Sequence, residues 1–198
     1  GTLHEVINGI FFQQDVPTSD ITIGVIPIGT GNDTVSPYGI PLEYRQAMDI
    51  ICNNKSVLTD VGTVTFQDYG VERKRFFINS AGLGLDAEVV RHYEKVVEQH
   101  HDRGKSLYLQ SLLNTFMFYR SKDYRILLDG EVFYEGPVLT LNIGIGTTIG
   151  SGMKALPLAI PDDGLFDITL VTSMSKLSLA LKIKDFINGK VYSFKEAM

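Results

Sequence analysis

Ile21-Thr22-Ile23-Gly24-Val25-Ile26-Pro27-Ile28-Gly29-Thr30-Gly31-Asn32-Asp33 is the stretch whose reading decides the fold. Residues 21–28 form a β-rich apolar run suited to a strand buried in a parallel sheet. The glycines at 29 and 31 stop that run abruptly. Pro37 and Pro41 punctuate the loop that follows, and residues 42–52 then place Tyr44, Ala47, Met48 and Ile51 on one side of a helix. Strand, glycine turn and helix in that order is the grammar of a doubly wound α/β domain.

Working upstream, Val6, Ile7, Ile10 and Phe11 fall at helical spacing, and Thr2 with Glu5 has the spacing of a capping box. Residues 2–12 are therefore predicted to be a helix that opens from a glycine turn. Downstream of about residue 56 the pattern changes. Residues 57–66, 75–81, 124–128, 132–134, 139–145 and 166–172 are strand-like, with Asp129-Gly130 as the hairpin turn between two of them. Helices are predicted at 87–98, 106–119 and 176–188. The expected organisation is a partial α/β domain over residues 1–58 followed by a β-rich domain over residues 59–198.

The bulk numbers fit a folded protein and exclude several classes. The chain has 198 residues, 44% of them hydrophobic and 21% charged, without the apolar depletion of disorder. A formal net charge of −5 gives no whole-molecule attraction for nucleic acid or anionic lipid, so any such contact needs a local basic face. Cys52 is the single cysteine, which leaves no internal disulfide and fits a reducing, cytoplasmic compartment. The apolar runs are far shorter than the roughly 20 residues that cross a bilayer. The first residues lack the basic start and apolar core of a signal peptide.

Phosphoryl transfer asks a protein for donors and cations around the phosphates and for positioning of the attacking group. Glycine turns at helix starts meet the first need, because backbone N–H groups can approach phosphate oxygens and the helix end adds partial positive charge. Gly1-Thr2 and Gly29-Thr30-Gly31 are two such turns, each beside a hydroxyl, although ordinary turns and caps use the same residues. Pro27-Ile28-Gly29-Thr30-Gly31-Asn32-Asp33 resembles the Pro-x-Gly-Thr-x-Asn-Asp signature of the diacylglycerol, sphingosine and YegS-like lipid kinases. Gly1-Thr2-Leu3-His4-Glu5 resembles the tail of that family's Gly-Gly-Asp-Gly-Thr segment. The stretch from Phe77 to Ala87, with Asn79, Gly82, Gly84 and Asp86, and the stretch Pro157-Leu158-Ala159-Ile160-Pro161-Asp162-Asp163-Gly164-Leu165 resemble two further family motifs. The motifs occur in the family's order across nearly the whole chain.

The resemblance implies a nucleotide-binding α/β domain, cut short, followed by a β-sandwich-like domain, and an ATP-dependent kinase acting on a hydroxyl of diacylglycerol or a related lipid. It further implies that Gly1, Thr2, Leu3, His4, Gly29, Thr30, Gly31 and Asn32 bind the nucleotide, with Asp33 as the catalytic residue of this chain and the general base a glutamate of the family's Asp-Gly-Glu segment. Asp33 could orient magnesium or the lipid hydroxyl, or cap the next helix. Relatives hold a structural magnesium that implies ligands from the Asp163 carboxylate and the carbonyls of Ile160 and Leu165. An Asp-Asp-Gly turn before a strand has the same composition. Asp162 is expected near that ion rather than on it, Asp86 is a helix cap or an active-site acid, and Asp60 matches a family aspartate without an assigned role.

The family's Gly-Gly-Asp before Gly1 and its Asp-Gly-Glu near the carboxyl end are not present, and Glu196 lacks the preceding Asp-Gly. On that reading the chain is truncated at both ends and inactive alone. A lipid substrate at the membrane surface is the expected partner, with the protein peripheral to the inner face. Lys176, Lys182, Lys184 and Lys190 among Leu177, Leu181, Ile183, Phe186 and Ile187 suit either a basic helix on a membrane or a helix covering a sheet. His100-His101 beside Asp102-Arg103 reads as a solvated loop. An NAD kinase, which shares the Gly-Gly-Asp-Gly-Thr idea, and a non-catalytic lipid- or nucleotide-binding module are the alternatives.

Overall fold

The structure, a computed structural model, describes residues 1–13, 21–100, 105–150 and 152–198. The expected loop at His101, Asp102 and Arg103 lies outside the described residues. In chain order the elements are α1 (Thr2–Phe12), a 3-10 turn (Asp33–Tyr38) and α2 (Tyr44–Cys52). A hairpin of β1 (Gly62–Asp68) and β2 (Val71–Phe77) follows, then β3 (Ser80–Gly84), α3 (Leu85–His100) and α4 (Lys105–Phe118). The chain continues with β4 (Lys122–Leu128), β5 (Glu131–Gly144), β6 (Asp167–Thr172) and α5 (Lys176–Ile187). The mixture of helices and antiparallel sheet, β-rich in its second part, agrees with the expected fold class, while the described residues before Gly62 form helices and a 3-10 turn and no strand.

β5 organises the second part. It pairs antiparallel with β4 along its first half, with β3 along its last five residues, and with β6 on its other side. Leu85, Val89, Leu112, Leu139, Val171 and Leu179 close one core over this sheet. Each such side chain, fully buried, contributes roughly 1.5–3 kcal/mol of transfer free energy. Val138, Leu141 and Leu170 pack on the opposite face with Tyr124, Ile126 and Tyr134. A register shift between Val138 and Thr140 lets Leu139 join the first core beside Val171 instead of alternating away.

Several boundaries differ from expectation for physical reasons. Residues 21–28 are not a strand: no described strand offers them a ladder, Ile28 is 85% exposed, and the segment instead lays Gly24 against Ile51 of α2. The helix over residues 2–12 forms as predicted, but Thr2 is its first residue and not its cap: Gly1 stands at the cap, and the Glu5 amide donates to the Gly1 carbonyl. The expected strand over 75–81 is two, because the chain breaks at Ile78 and Asn79 between β2 and β3. The strands over 132–134 and 139–145 are the single β5, and the one expected over 57–66 starts only at Gly62.

Both hairpins use two-residue turns with positive φ at both positions, Asp129-Gly130 (51° and 88°) and Tyr69-Gly70 (49° and 80°). That geometry matches the twist of the flanking strands. α5 is capped by Ser175 and covers the sheet through Leu179 and Phe186, while Leu177 and Leu181 face solvent.

One buried side chain ties α1 to the hairpin. The Asn8 amide accepts from the Phe76 N–H at 3.0 Å and donates to the Phe76 carbonyl at 2.8 Å, pairing with β2 as a neighbouring strand would. Asn8→Leu should therefore leave two buried main-chain groups unpaired and lower stability by about 2–4 kcal/mol. Urea unfolding of the variant beside wild type checks this; an unchanged midpoint would contradict it.

Candidate functional site

Asn79 starts the construction of the site. Its carbonyl accepts from the amides of Ile145 and Gly146 at 2.8 and 3.0 Å, and its side-chain amide donates to the Thr148 carbonyl at 3.0 Å. The loop leaving β5 is thereby pinned to the start of β3. Gly146 must be glycine, since a Cβ there would lie 2.0 Å from the Asn79 side-chain oxygen. Thr148 then reaches the other half of the chain, its hydroxyl donating to the Asp33 carbonyl at 3.1 Å.

Asp33 is thus held from both ends. Its main chain meets Thr148, and its Oδ1 accepts from the Gly152 N–H at 2.6 Å. Asn32 sits in the left-handed region (φ 57°) and folds its side chain back over the turn. The Asn32 Oδ1 accepts from the Gly29 N–H at 3.0 Å, and its Nδ2 donates to the carbonyls of Pro27 and Gly29. Asn32 shapes the turn, which leaves the exposed Thr30 hydroxyl at its outer edge.

A second acid lies on the sheet side. Gly84 has φ of 91°, and a Cβ there would fall 2.5 Å from the Leu139 carbonyl, so only glycine lets α3 begin this close to β5. One residue later the Asp86 Oδ2 accepts from the Thr140 hydroxyl at 2.5 Å and from the Asn142 amide at 2.7 Å. Part of the residue is open to solvent, yet its carboxyl is deep. Burial raises its pKa, and the bonds from Thr140 and Asn142 oppose that shift only in part. Asp86 is accordingly a buried acid bonded across to β5.

Tyr108, on α4, lies in the field of both acids. Burial chiefly, and then the charges of Asp86 and Asp33, push its phenol up to about 12. Its hydroxyl abuts the turn at Gly150, where a Cβ would lie 2.6 Å from it. The phenol therefore stays protonated at neutral pH, a donor in the field of two carboxyl groups.

The remaining expected nucleotide residues are placed less uniformly. Gly1 and Thr2 are exposed at the start of α1, whereas Leu3 turns its side chain into the core of Ile7, Phe76 and Ile78. His4 is half-buried, with Nε2 3.3 Å from the Asn8 amide, and burial is the largest cause lowering its pKa. Gly29 and Gly31 lie in the exposed turn described above.

The loop at Asp163 is a separate construction. The Asp163 Oδ1 accepts from the Leu165 N–H at 3.0 Å, and the Asp60 Oδ2 accepts from the Gly164 N–H at 2.7 Å. Asp60 also donates its own N–H to the Pro161 carbonyl at 2.8 Å, which gives this aspartate its role as the clamp of the loop. Burial first, and then the Asp163 charge, raises the pKa of Asp167. Among the described residues no three acidic, histidine or cysteine side chains gather to hold a metal. The family resemblance would place a cation here on the Asp163 carboxylate and the carbonyls of Ile160 and Leu165, oxygen donors of the kind that magnesium takes.

Comparison with known proteins follows this division. Residues 1–64 match the diacylglycerol kinase catalytic domain, and residues 79–196 match the YegS C-terminal NAD kinase beta sandwich-like domain. The chain belongs to the YegS-like diacylglycerol kinase family. It is 33% identical over 171 residues to a diacylglycerol kinase of Staphylococcus carnosus, covering 86% of this chain and 51% of that one. It is 30% identical over 167 residues to a diacylglycerol kinase of Mycobacterium tuberculosis, covering 84% and 52%. The chain thus spans about half the length of the curated relatives it matches. A crystal structure of a diacylglycerol kinase from Bacillus anthracis shares the fold with a TM-score of 0.62 at 24% identity, over 94% of this chain and 55% of that one. Family membership and fold rest on these matches together.

Thr140, Asn142, Thr148 and Tyr108 were missed by sequence reasoning. Polar residues at 140 and 142 inside the apolar run 139–145 were the available signal; Tyr108 carried none. Folding holds the Asp86 carboxyl protonated to higher pH than an unfolded chain does. Stability should therefore fall as pH rises from the ordinary aspartate range through the raised folded value. Asp86→Asn keeps an oxygen acceptor and has no proton to lose, so its unfolding free energy should lack that slope. Urea unfolding at stepped pH reads the difference, and parallel slopes would contradict it.

Proposed function

We propose that this chain forms the acceptor side and part of the nucleotide side of a kinase that moves the γ-phosphoryl group of ATP onto a hydroxyl of diacylglycerol or a related lipid. The observation that carries the reading is the docking of Asp33, at the end of the glycine turn, on the loop after β5, where the Thr148 hydroxyl bonds its carbonyl and the Gly152 N–H bonds its carboxylate. Phosphoryl transfer is mainly positioning and electrostatics, and this junction supplies both.

The exposed amides and Thr30 hydroxyl of the turn at 29–31 approach the phosphate oxygens, as glycine turns allow. The lipid hydroxyl oxygen forms a bond to the γ-phosphorus while the bond to the β,γ-bridging oxygen breaks and ADP leaves. Asp33 orients that hydroxyl, whose proton passes to the general base, a glutamate of the family's Asp-Gly-Glu segment that the sequence given does not contain. Tyr108 and the buried Asp86 hold the hydrogen-bonding pattern behind it, since neither is ionised as readily as its free counterpart. Magnesium at the Asp163 loop would be structural, fixing the turn through the Asp163 carboxylate and the carbonyls of Ile160 and Leu165. Among the described residues no helix is long and apolar enough to cross a membrane, so the lipid is proposed to be met at a membrane surface.

Incubating the full-length protein with labelled ATP and mixed lipid micelles tests the reaction, with NAD as a competing acceptor. Asp33→Ala should lower the rate roughly 100-fold or more. Thr30→Ala should lower it roughly 10- to 100-fold. Labelled NAD without labelled lipid, or undiminished labelling in both variants, would overturn the reading.

Magnesium at the Asp163 loop has an independent readout. Added magnesium should raise the melting temperature of wild type by a few degrees, on the order of 1 kcal/mol of linkage, and leave Asp163→Ala unmoved. An equal rise in both would remove the ion from this loop.

A further inference from the structure

The 3-10 turn that begins at Asp33 is tied at its far end as well. Its last residue, Tyr38, is half-buried, and its hydroxyl is hydrogen-bonded to the Thr59 Oγ1. Of the two hydroxyls the phenol is the more acidic and donates. Burial above all raises the Tyr38 pKa, a shift that the Thr59 bond opposes and the charges of Asp60 and Asp162 reinforce, so the proton is in place at neutral pH. Thr59 keeps its own proton to give, to the Asp60 carbonyl at 3.3 Å or the Pro161 carbonyl at 3.5 Å. Those two bonds are long, and the firm part of the tie is the next residue. Asp60 donates its N–H to the Pro161 carbonyl at 2.8 Å, and its Oδ2 accepts from the Gly164 N–H at 2.7 Å. The end of the 3-10 turn is thereby bonded to the segment that clamps residues 161–164.

Between its ends the turn is stiff. Pro37 lies inside it, Val35 is buried, and Gly39 closes it in the left-handed region with its N–H on the Ser36 carbonyl. Six residues at a rise of about 2 Å each make a rod of about 10 Å, with Asp33 at one end and Tyr38 at the other. Thr148 and Gly152 hold the Asp33 end and Val35 packs the middle, which leaves rotation about the line through those points. A phenol reaching off that line, bonded at its tip, opposes the rotation. The glycine turn before the rod has no need of this tie, since the Asn32 side chain bonds Pro27 and Gly29 itself. A loss at Tyr38 is therefore felt at the acceptor hydroxyl and not at the phosphates.

We propose that Tyr38 is a positioning residue for the transfer step: through its bond to Thr59 it fixes the rotation of the 3-10 turn, and with it the direction of the Asp33 carboxylate. The inference rests on the lipid kinase reading for its kinetic consequence and on the bonds alone for its structural one.

The test uses the full-length protein with ATP and diacylglycerol in mixed micelles. Tyr38→Phe keeps the ring and removes the hydroxyl, Thr59→Val removes the acceptor at nearly the same volume, and Thr59→Ser keeps it. Tyr38→Phe and Thr59→Val should each lower kcat roughly 10-fold with KM for ATP unchanged, as a slightly misdirected reacting group does. The double variant should fall no further than either single one, because both break the same bond. Thr59→Ser should behave as wild type. Where Tyr38→Phe does not fold, Thr59→Val carries the same comparison.

The Gly152 amide proton reports the Asp33 carboxylate without any turnover, since a charge-assisted bond of 2.6 Å holds it downfield. In amide NMR spectra it should move upfield in Tyr38→Phe and Thr59→Val and stay in place in Thr59→Ser. Losses that add in the double variant, a raised KM for ATP, or an unmoved Gly152 resonance would overturn the proposal. Wild type that phosphorylates no lipid, with Gly152 moving as expected, would sink the reaction and keep the positioning. Turnover that Tyr38→Phe leaves unchanged would sink the positioning and keep the reaction.

Discussion

Thr148 carries the connection on which the site depends. Its carbonyl takes the Asn79 amide and its hydroxyl bonds the Asp33 main chain, so one nearly buried residue joins the sheet to the glycine turn. Each bond is worth on the order of 1 kcal/mol net, small against the total cost of ordering the chain. The significance of these bonds is geometric: transfer chemistry is sensitive to displacements of about 1 Å, and this linkage fixes where Asp33 stands. The Gly152 amide adds a second anchor on the carboxylate itself.

The motif residues then divide by task. Asn79, Gly84 and Gly146 build backbone, since each permits or bonds a close approach that another side chain would block. Asn32 folds a turn, Asp60 clamps a loop, and Thr30 remains outward. Among the motif acids, Asp33 and Asp86 both lend their charge to Tyr108, which stands outside the motifs. A run of residues that reads as one signature thus contains several different physical jobs, and few of them are chemical.

Much of this was legible because local rules and tertiary structure agree. The Asp129-Gly130 hairpin, α3, α4, α5 and the strands around β5 follow from turn chemistry and apolar spacing alone. Residues 21–28 failed because strand propensity says nothing about whether a neighbour is available to pair. Tyr69-Gly70 escaped notice because tyrosine is an unusual occupant of a left-handed position. The site was half legible: the acids stood in recognisable motifs, while Thr148 and Tyr108 matter only through long-range contacts that no short window contains. Asn8 illustrates the same limit, its partner lying 68 residues away.

β5 has unequal surroundings along its length. From Val138 to Gly144 it is hemmed in by strands on both sides, but from Glu131 to Pro137 only β4 adjoins it. Opening the outer ribbon therefore breaks one ladder, whereas opening the inner segment must dismantle three strands and the helices above them. Amide hydrogens of the inner segment should be the last to exchange with solvent deuterium. The bonds that Thr140 and Asn142 make to Asp86 lie in that slowest unit, so breathing at the ribbon end can proceed without disturbing them.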